Sequence, residues 1–393
     1  MLALLQVTFP YFALVWLGLL AVRSGALPLD AVAGLNRFVL AFALPCLLFR
    51  VGQTLAPADL LNPVVLTVWL LCALTLMVFT VAVTLSRRVP MKDAAFGALA
   101  SACPNSAMMG VALLAAVAGP GSAGPLLGGL LCDLFITSPL CIALALSHEE
   151  RNTLPAFGPG HGMLIDSQLT DTDSRHDELP ANASLGARLA LAGRLMRATL
   201  GTPLPWAIVL GVAAAALGLG LPQPVDHLIA LLADAATPVA LFTIGAVLWR
   251  AKAQAAELQG TLDEPLDTAG ADPALLATSR FAVARHAAAL GAGQSAWQLL
   301  RPDLPVVVFK LLLHPLLLLL VGLAARALGA PLSSLQLAVL VMAAALPGTS
   351  QAAMLAERYR ADTGRVARIV LAGTALSWFS FSVIAWGFGL PTH

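Results

Sequence analysis

The apolar residues of this chain fall into ten long runs, which short polar joints and two longer polar segments separate. A helix needs about 20 apolar residues to cross a bilayer core that is ~30 Å thick. It also satisfies its own backbone hydrogen bonds inside lipid, so these runs predict membrane-spanning helices. The predicted spans cover residues 3–22, 35–51, 63–85, 93–118, 125–147, 204–221, 225–249, 304–328, 333–356 and 366–389.

The composition excludes a soluble domain. Of the 393 residues, 59% are hydrophobic and 11% are charged, whereas a soluble domain carries about 25% charged residues. The mean hydropathy is +0.86. The cysteines lie in the apolar runs without a CxxC pair, which favours small buried residues over a metal site or a disulfide. They are Cys46, Cys72, Cys103, Cys132 and Cys141.

The basic residues are distributed unevenly between the two sides of the predicted bundle. The joints between spans 1–2, 3–4, 5–6, 7–8 and 9–10 hold 19 of the 22 lysines and arginines. The opposite joints hold Arg50 and Arg326, and Lys310 lies within a span. Because basic joints stay in the cytoplasm, we predict a multi-pass protein of the bacterial inner membrane with both termini outside the cytoplasm. No basic residue precedes the first run, so we expect a retained helix rather than a signal peptide.

Five spans in each half predict two repeats of opposite orientation. The first repeat covers residues 1–147, and the second covers 204–393. Traces of a duplication remain, with offsets of 193 and 194 ahead of the polar segment at 251–303 and an offset about 50 larger beyond it, close to the length of that segment. Inverted repeats are typical of secondary transporters. Pro45, Leu48 and Phe49 match Pro238, Leu241 and Phe242 at an offset of 193, Pro28 meets Pro222 at 194, and Pro104 meets Pro347 at 243.

Two polar segments interrupt this plan, one between the repeats at 148–203 and one inside the second repeat at 251–303. Both are rich in turn-forming and charged residues, so we expect solvated cytoplasmic linkers, with a regulatory contact as the alternative. The end of the first segment, 184–201, predicts a basic amphipathic helix that lies on the inner leaflet.

The fourth and ninth spans each contain one proline near their middle, Pro104 and Pro347. Proline removes a hydrogen bond from the helix and frees backbone groups that lipid cannot satisfy. Small and polar residues surround both, and the helix that follows each proline would turn its positive end towards a bound anion. An ordinary kink is the alternative. The predicted substrate-binding residues are Pro104, Asn105, Ser106, Pro347, Gly348, Thr349, Ser350 and Gln351.

Four ionisable residues lie inside the predicted spans: Asp133, Asp234, Lys310 and His314. A charge at this depth costs about 2.5–3.5 kcal/mol on insertion scales, so each one needs a partner or a wet cavity. Asp133, Lys310 and His314 are the predicted proton- or ion-coupling residues. The alternatives are a lysine that extends to the interface, a neutral structural histidine and a structural aspartate.

Six stretches in this chain resemble the auxin efflux carrier family of permeases, whose bacterial members include malonate and malate carriers. They are FPYFALVWLGLLAVRSGAL, LNRFVLAFALPCLLF, CPNSAMMGV, TPVALFTIGAVL, KLLLHPLL and ALPGTSQAAMLAERY. The resemblance implies that spans four and nine break, cross at the midplane and hold the substrate there. It also implies a scaffold of spans 1–2 and 6–7, against which spans 3–5 and 8–10 move as a transport domain. The GTSQ segment departs from the family's ninth span, so substrate preference is not carried over.

Together these features predict an all-α membrane protein that acts as a proton-coupled secondary permease for a small organic anion, such as a mono- or dicarboxylate. A sodium-coupled, bile-acid-like carrier and a non-transporting receptor or sensor are the alternatives. The sequence lacks phosphate-loop, HExxH and GxSxG motifs, which argues against an ATPase and against an enzyme. We predict no cofactor and no nucleic-acid partner. The expected partners are the anion, a proton or sodium, and the lipid bilayer, and a homodimer is left open.

Overall fold

The computed structural model describes residues 2–86, 89–146, 193, 200–263, 302–359 and 361–389, without side chains at 2–4, 251–263, 357 and 358. Throughout these ranges the regular structure is helical, and β pairing is limited to two isolated bridges. The helices of the first half are α1 (Leu2–Arg23), α2 (Leu29–Gln53), α3 (Pro63–Thr84), α4 (Met91–Ala102), α5 (Ser106–Ala118) and α6 (Pro120–Leu146). Those of the second half are α7 (Pro203–Ala216), α8 (Gln223–Asp263), α9 (Leu304–Ala327), α10 (Ser334–Ala344), α11 (Gln351–Arg358) and α12 (Thr363–Gly387).

Seven helices of the described ranges are long and apolar enough to cross a membrane. They are α1, α2, α3 with the short turn before it, α6, α8, α9 and α12. The other three predicted spans consist of shorter helices. The fourth and ninth are each broken in two, and the sixth, α7, has 14 residues and is therefore only about 21 Å long.

Four predicted boundaries were wrong by five residues or more. Helix α6 begins at Pro120 instead of residue 125, and α7 ends at Ala216 instead of residue 221. Helix α2 begins at Leu29 instead of residue 35, directly after Pro28, whose fixed φ suits a helix start. Helix α8 continues to Asp263, so the polar segment that we predicted at 251–303 starts as helix. Its first residues, AKAQAAEL, are mostly strong helix formers, which explains the extension. The predicted amphipathic helix at 184–201 lies outside the described residues except at Gly193 and Leu200.

The outer surface of the helices is apolar. Large hydrophobic side chains are exposed along most of the long helices, a pattern that would cause aggregation in water and that suits contact with lipid tails. Examples are Leu17, Phe42, Val78, Leu210, Leu320 and Phe379. Together with the seven apolar helices, this surface identifies a multi-pass membrane protein.

Two helix pairs approach each other closely at glycines. Helix α1 packs on α8, and α2 packs on α7. A Cβ atom at Gly18 would overlap the carbonyl oxygen of Phe242, and one at Gly211 would overlap that of Phe49. The reciprocal contacts join Gly245 to Val15 and Gly52 to Ile208. Small residues at such positions let helix backbones pack tightly in membranes.

The two glycine contacts use equivalent positions in the two halves of the chain. Each residue of the α1–α8 contact has its counterpart in the α2–α7 contact at a separation of 193 residues, the offset that the prolines show. The equivalent pairs are Gly18 and Gly211, Phe49 and Phe242, Val15 and Ile208, and Gly52 and Gly245.

We expect Gly18→Ala and Gly211→Ala to destabilise the protein by similar amounts, about 1–3 kcal/mol each, because both place a methyl group against a backbone carbonyl. Thermal unfolding of the purified variants in one detergent measures the effect. Gly34→Ala is the matched control, since no atom lies within 4 Å of its added Cβ. A Gly211 variant as stable as the Gly34 control would contradict the equivalence of the two contacts.

Candidate functional site

The fourth and ninth predicted spans are each interrupted at their proline. Helix α4 ends at Ala102 and α5 begins at Ser106, so that Pro104 lies in an extended segment between them. Helix α10 ends at Ala344 and α11 begins at Gln351, on either side of Pro347. Helical structure is therefore interrupted at both prolines, and neither proline merely kinks a continuous helix.

The two interruptions cross and form hydrogen bonds with each other. The backbone N–H of Asn105 donates to the carbonyl oxygen of Pro347 at 2.9 Å, and the N–H of Thr349 donates to that of Cys103 at 3.0 Å. These two bonds make a short antiparallel bridge between Pro104 and Gly348. Backbone groups that the two interruptions leave outside a helix thus pair with one another, as buried backbone groups must.

The crossing is enclosed by other helices. Every residue from Ala94 to Ala102 in α4 is buried, and so is every residue from Leu337 to Ala344 in α10. At the bridge itself, a Cβ atom on Gly348 would overlap the carbonyl oxygen of Ala100. Glycine is therefore required at position 348 because the two chains approach so closely.

Buried polar side chains lie directly beside the bridge. Asn105, Ser106 and Ser350 are all buried. Within the described part of the chain, Asn105 Nδ2 and Ser106 Oγ have no hydrogen-bond partner, whereas Ser350 Oγ donates to Met108 Sδ at 3.8 Å. An unsatisfied buried polar group costs about 1–3 kcal/mol, so these two atoms are well placed to bind a polar ligand.

The remaining predicted residues of the crossing include Thr349 and Gln351, at the start of α11. Thr349 Oγ1 accepts a hydrogen bond from the N–H of Gln351 at 3.3 Å, so Thr349 caps the start of α11. Gln351 is the first residue of α11 and is partly exposed. Both α5 and α11 begin immediately after the bridge, which brings the positive ends of two helices to it.

The predicted coupling residues lie together in a second, fully enclosed cluster. Lys310 is 1% exposed, and Asp133 and His314 are also buried. Lys310 Nζ lies 3.2 Å from His314 Nδ1, and Asp133 is within electrostatic range of Lys310 without a direct ion pair among the described side chains. The interpretation of Lys310 as a side chain that extends to the interface was therefore wrong.

Trp69 of α3 completes this cluster, and sequence reasoning missed it. Its Nε1–H donates to Asp133 Oδ1 at 3.1 Å, and its ring centroid lies 6.0 Å from that of His314. Asp133 Oδ2 is buried without a partner in the parts of the chain that are described. A tryptophan in an apolar run carries no local signal that separates this role from ordinary packing.

Cys103 connects the coupling cluster to the crossing. Its Sγ lies 3.8 Å from Ser138 Oγ, and its thiol is within electrostatic range of Asp133 and Lys310. Its carbonyl oxygen accepts the bridge hydrogen bond from Thr349. The cluster and the crossing are thus neighbours that share one residue.

Three residues of the candidate site lie in π-helical turns. Ser106 begins the turn Ser106–Gly110, Asp133 begins Asp133–Thr137, and Lys310 lies in Phe309–Leu313. A π turn inserts one extra residue into a helix and redirects the side chains around it. Such turns are frequent at functional sites.

A third polar cluster, also missed from sequence, joins the starts of α4, α9 and α12. Asp303 precedes α9 and is buried, with Arg365 Nε at 3.1 Å and Arg368 Nε at 2.9 Å from its two carboxylate oxygens. Arg365 Nη1 also donates to the carbonyl oxygen of Asp93 at 3.0 Å. Burial raises the pKa of Asp303, and the two arginines act in the opposite direction.

Asp234 does not belong to any of these clusters. Its side chain is largely exposed and lies 3.8 Å from Arg50 at the end of α2. Among the described residues, no group of three histidines, cysteines or carboxylates could hold a metal ion.

Comparison with known proteins identifies the family. The model of the membrane transport protein family matches residues 3–385, nearly the whole chain. The chain belongs to this family, the auxin efflux carrier family. One relative, described as "Putative malonate transporter" from Rhizobium meliloti (strain 1021), is 30% identical over 244 residues. The aligned part covers 61% of this chain and 65% of that protein, so the match spans less than two thirds of the relative.

Proposed function

We propose that this membrane transport protein is a secondary permease that carries a small organic anion, a mono- or dicarboxylate, together with protons by alternating access. The substrate binds where the two broken helices cross, and Asp133, Lys310 and His314 couple its movement to protons. The bacterial inner membrane is its location, with both termini outside the cytoplasm and the segments at 148–203 and 251–303 inside it.

The unsatisfied donors at the crossing are the observation that carries this proposal. Asn105 Nδ2 and Ser106 Oγ are buried beside the bridge, and two helices begin there. Amide and hydroxyl hydrogens, together with the N–H groups at helix N-termini, are donors that bind carboxylates although they carry no full positive charge themselves. A small carboxylate is therefore the ligand that suits this site.

The paired glycine contacts support ten spans arranged as two inverted repeats. The α1–α8 and α2–α7 contacts use positions 193 residues apart, and the two proline breaks meet each other. A protein made of two equivalent halves can exchange their conformations, which exposes a central site to each side in turn. This arrangement favours a carrier over a receptor.

Helix packing also supports the division into a scaffold and a transport domain. Two of the tight glycine contacts, α1–α8 and α2–α7, join the helices of the proposed scaffold to one another. Polar contacts between these helices and the rest include Asn36 Nδ2 at 3.5 Å from Met354 Sδ and the Tyr11 hydroxyl at 3.5 Å from the Ala112 carbonyl oxygen. Trp378 Nε1–H of α12 also donates to Thr8 Oγ1 of α1 at 3.1 Å. The first contact has a weak sulfur acceptor and the second is at the long limit of a hydrogen bond, whereas the third would have to break if the two parts move against each other.

Uptake into proteoliposomes tests the proposal. We expect labelled malonate or malate to accumulate faster with an inward proton gradient, because protons accompany the anion. Asn105→Ala removes an unsatisfied donor, and Pro347→Ala restores an N–H group where the backbone must stay open. Each should reduce initial uptake more than about tenfold, which corresponds to ~1.4 kcal/mol of lost binding.

The controls separate the alternatives. Gln223→Ala changes an exposed amide at the start of α8 and should leave uptake unchanged. Labelled indole-acetate tests a larger monocarboxylate in the same assay. Stimulation by a sodium gradient alone would favour the sodium-coupled carrier, and absence of uptake for every carboxylate would refute the permease.

A further inference from the structure

Asp133 and Lys310 are two opposite charges that the fold buries near each other without direct contact. Both side chains are enclosed, and each is within electrostatic range of the other. A single buried charge is strongly destabilising, whereas a pair of opposite sign compensates much of the cost. The charge state of either residue therefore affects the free energy of keeping the other one charged inside the protein.

Hydrogen bonding separates the roles of the residues in this cluster. Lys310 Nζ lies 3.2 Å from His314 Nδ1, and with Lys310 as an ammonium, which can only donate, Nδ1 accepts and the ring hydrogen lies on Nε2. This tautomer is neutral, and a protonated His314 would place a second cation against Lys310. His314 thus orients the lysine, and the role of proton carrier falls to another group.

Asp133 has the geometry of a proton carrier. Its Oδ1 accepts a hydrogen bond from Trp69, while its Oδ2 is buried and unpaired within the described part of the chain. Besides Lys310, the titratable side chains within electrostatic range of it are the thiols of Cys103, Cys132 and Cys141, and a thiol in apolar surroundings stays neutral. Oδ2 is therefore the one carboxylate atom on which a proton can reside without displacing an existing bond.

We propose that Asp133 and Lys310 form a charge switch that makes the anion and the proton bind together, an inference that rests on the proposed transport function. With Asp133 ionised, the pair is neutral overall. When Asp133 Oδ2 takes up a proton from the medium, Lys310 keeps one uncompensated positive charge. A monoanionic carboxylate at the adjacent crossing then supplies the missing negative charge, so one proton enters with one anionic charge and the loaded site is neutral.

Trp69 is the positioning residue of this switch. It holds Asp133 Oδ1 and lies against His314, which in turn orients Lys310. Trp69→Phe retains most of the ring but removes the only N–H that the described structure directs at Asp133. The ionised carboxylate then loses its donor, so the pH at which proton-coupled uptake is half-maximal should move upwards.

Three variants in proteoliposomes test the switch. Asp133→Asn should transport the anion but lose stimulation by the proton gradient, because its side chain is permanently neutral. Lys310→Met should raise the KM for malonate more than about tenfold, or ~1.4 kcal/mol. Trp69→Phe should shift the pH profile of uptake upwards. Asp226→Asn and Arg326→Met change exposed charges and serve as matched controls.

Two results would overturn the inference while leaving the permease intact. One is wild-type-like gradient stimulation in Asp133→Asn; the other is an unchanged KM in Lys310→Met. If the wild-type protein itself moves no carboxylate, the proposed function fails instead. The uptake of the parent protein therefore distinguishes the two failures.

Thermal unfolding gives a readout that does not depend on transport. Asp133→Asn leaves Lys310 uncompensated and Lys310→Met leaves Asp133 uncompensated, so each should lower Tm. The double variant Asp133→Asn, Lys310→Met removes both charges and should unfold at a higher temperature than either single variant. Additive losses in the double variant would show that the two charges do not compensate each other.

Discussion

Replacing Gly348 with alanine is expected to abolish most transport. The added methyl group would overlap the carbonyl oxygen of Ala100. Neither the Cβ atom nor that oxygen can rotate away, because the backbone fixes the position of both. The crossing must then separate, which breaks the hydrogen bonds from Asn105 to Pro347 and from Thr349 to Cys103. A displacement of about 1 Å at a binding site can reduce a rate ~10²-fold, and we expect a loss of that order in initial malonate uptake.

The control for this experiment is Gly373→Ala in α12, where no atom lies within 4 Å of the added Cβ. Size-exclusion chromatography of both variants shows whether they fold, because overpacking of this kind costs about 1–3 kcal/mol and leaves many proteins intact. Near-normal uptake by Gly348→Ala would mean that the closely packed crossing is unimportant for transport.

Replacing Asp303 with asparagine is expected to give the largest loss of stability. The carboxylate contacts Arg365 and Arg368, and it is buried with Arg365 beneath the starts of α4 and α12. Arginine stays charged at every accessible pH, so the variant leaves two guanidinium groups without a counter-charge. Breaking a buried ion pair from one side costs about 3–5 kcal/mol.

Thermal unfolding in detergent measures this loss against Asp226→Asn, an exposed carboxylate that should change stability by less than about 0.5 kcal/mol. Arg368→Gln should cost less than Asp303→Asn, because Arg368 is partly exposed and Arg365 still pairs with the aspartate. Equal unfolding temperatures for the Asp303 and Asp226 variants would show that the buried cluster contributes no net stability.

The breaks at Pro104 and Pro347 could be predicted from sequence because their cause is local. A proline lacks the N–H group and clashes with the preceding turn wherever it lies inside a helix. The membrane class followed just as directly, from apolar runs whose length matches the bilayer. Helix ends were less accurate, as the extension of α8 to Asp263 shows, since a polar composition does not exclude a helix.

The clusters around Asp133 and Asp303 depend on contacts between distant parts of the chain. Trp69 donates to Asp133 across 64 residues, and Arg365 reaches Asp303 across 62. No local pattern marks either partner. Lys310 is a similar case. From its own helix alone the side chain could extend to the interface or turn inwards, and only contacts with neighbouring helices determine which it does.

The sequence by itself determined that this protein crosses the membrane as apolar helices, that two of its predicted spans break at prolines, and which family it resembles. These properties follow from composition, run length and single-residue stereochemistry, which act over one or two helical turns. Only the tertiary structure decided that the breaks pair with each other, that Gly348 must be a glycine, and that Trp69 and Cys103 link the buried charges to the crossing. Those properties arise from close packing between helices that are far apart in the chain, and such packing leaves no periodic trace in the sequence.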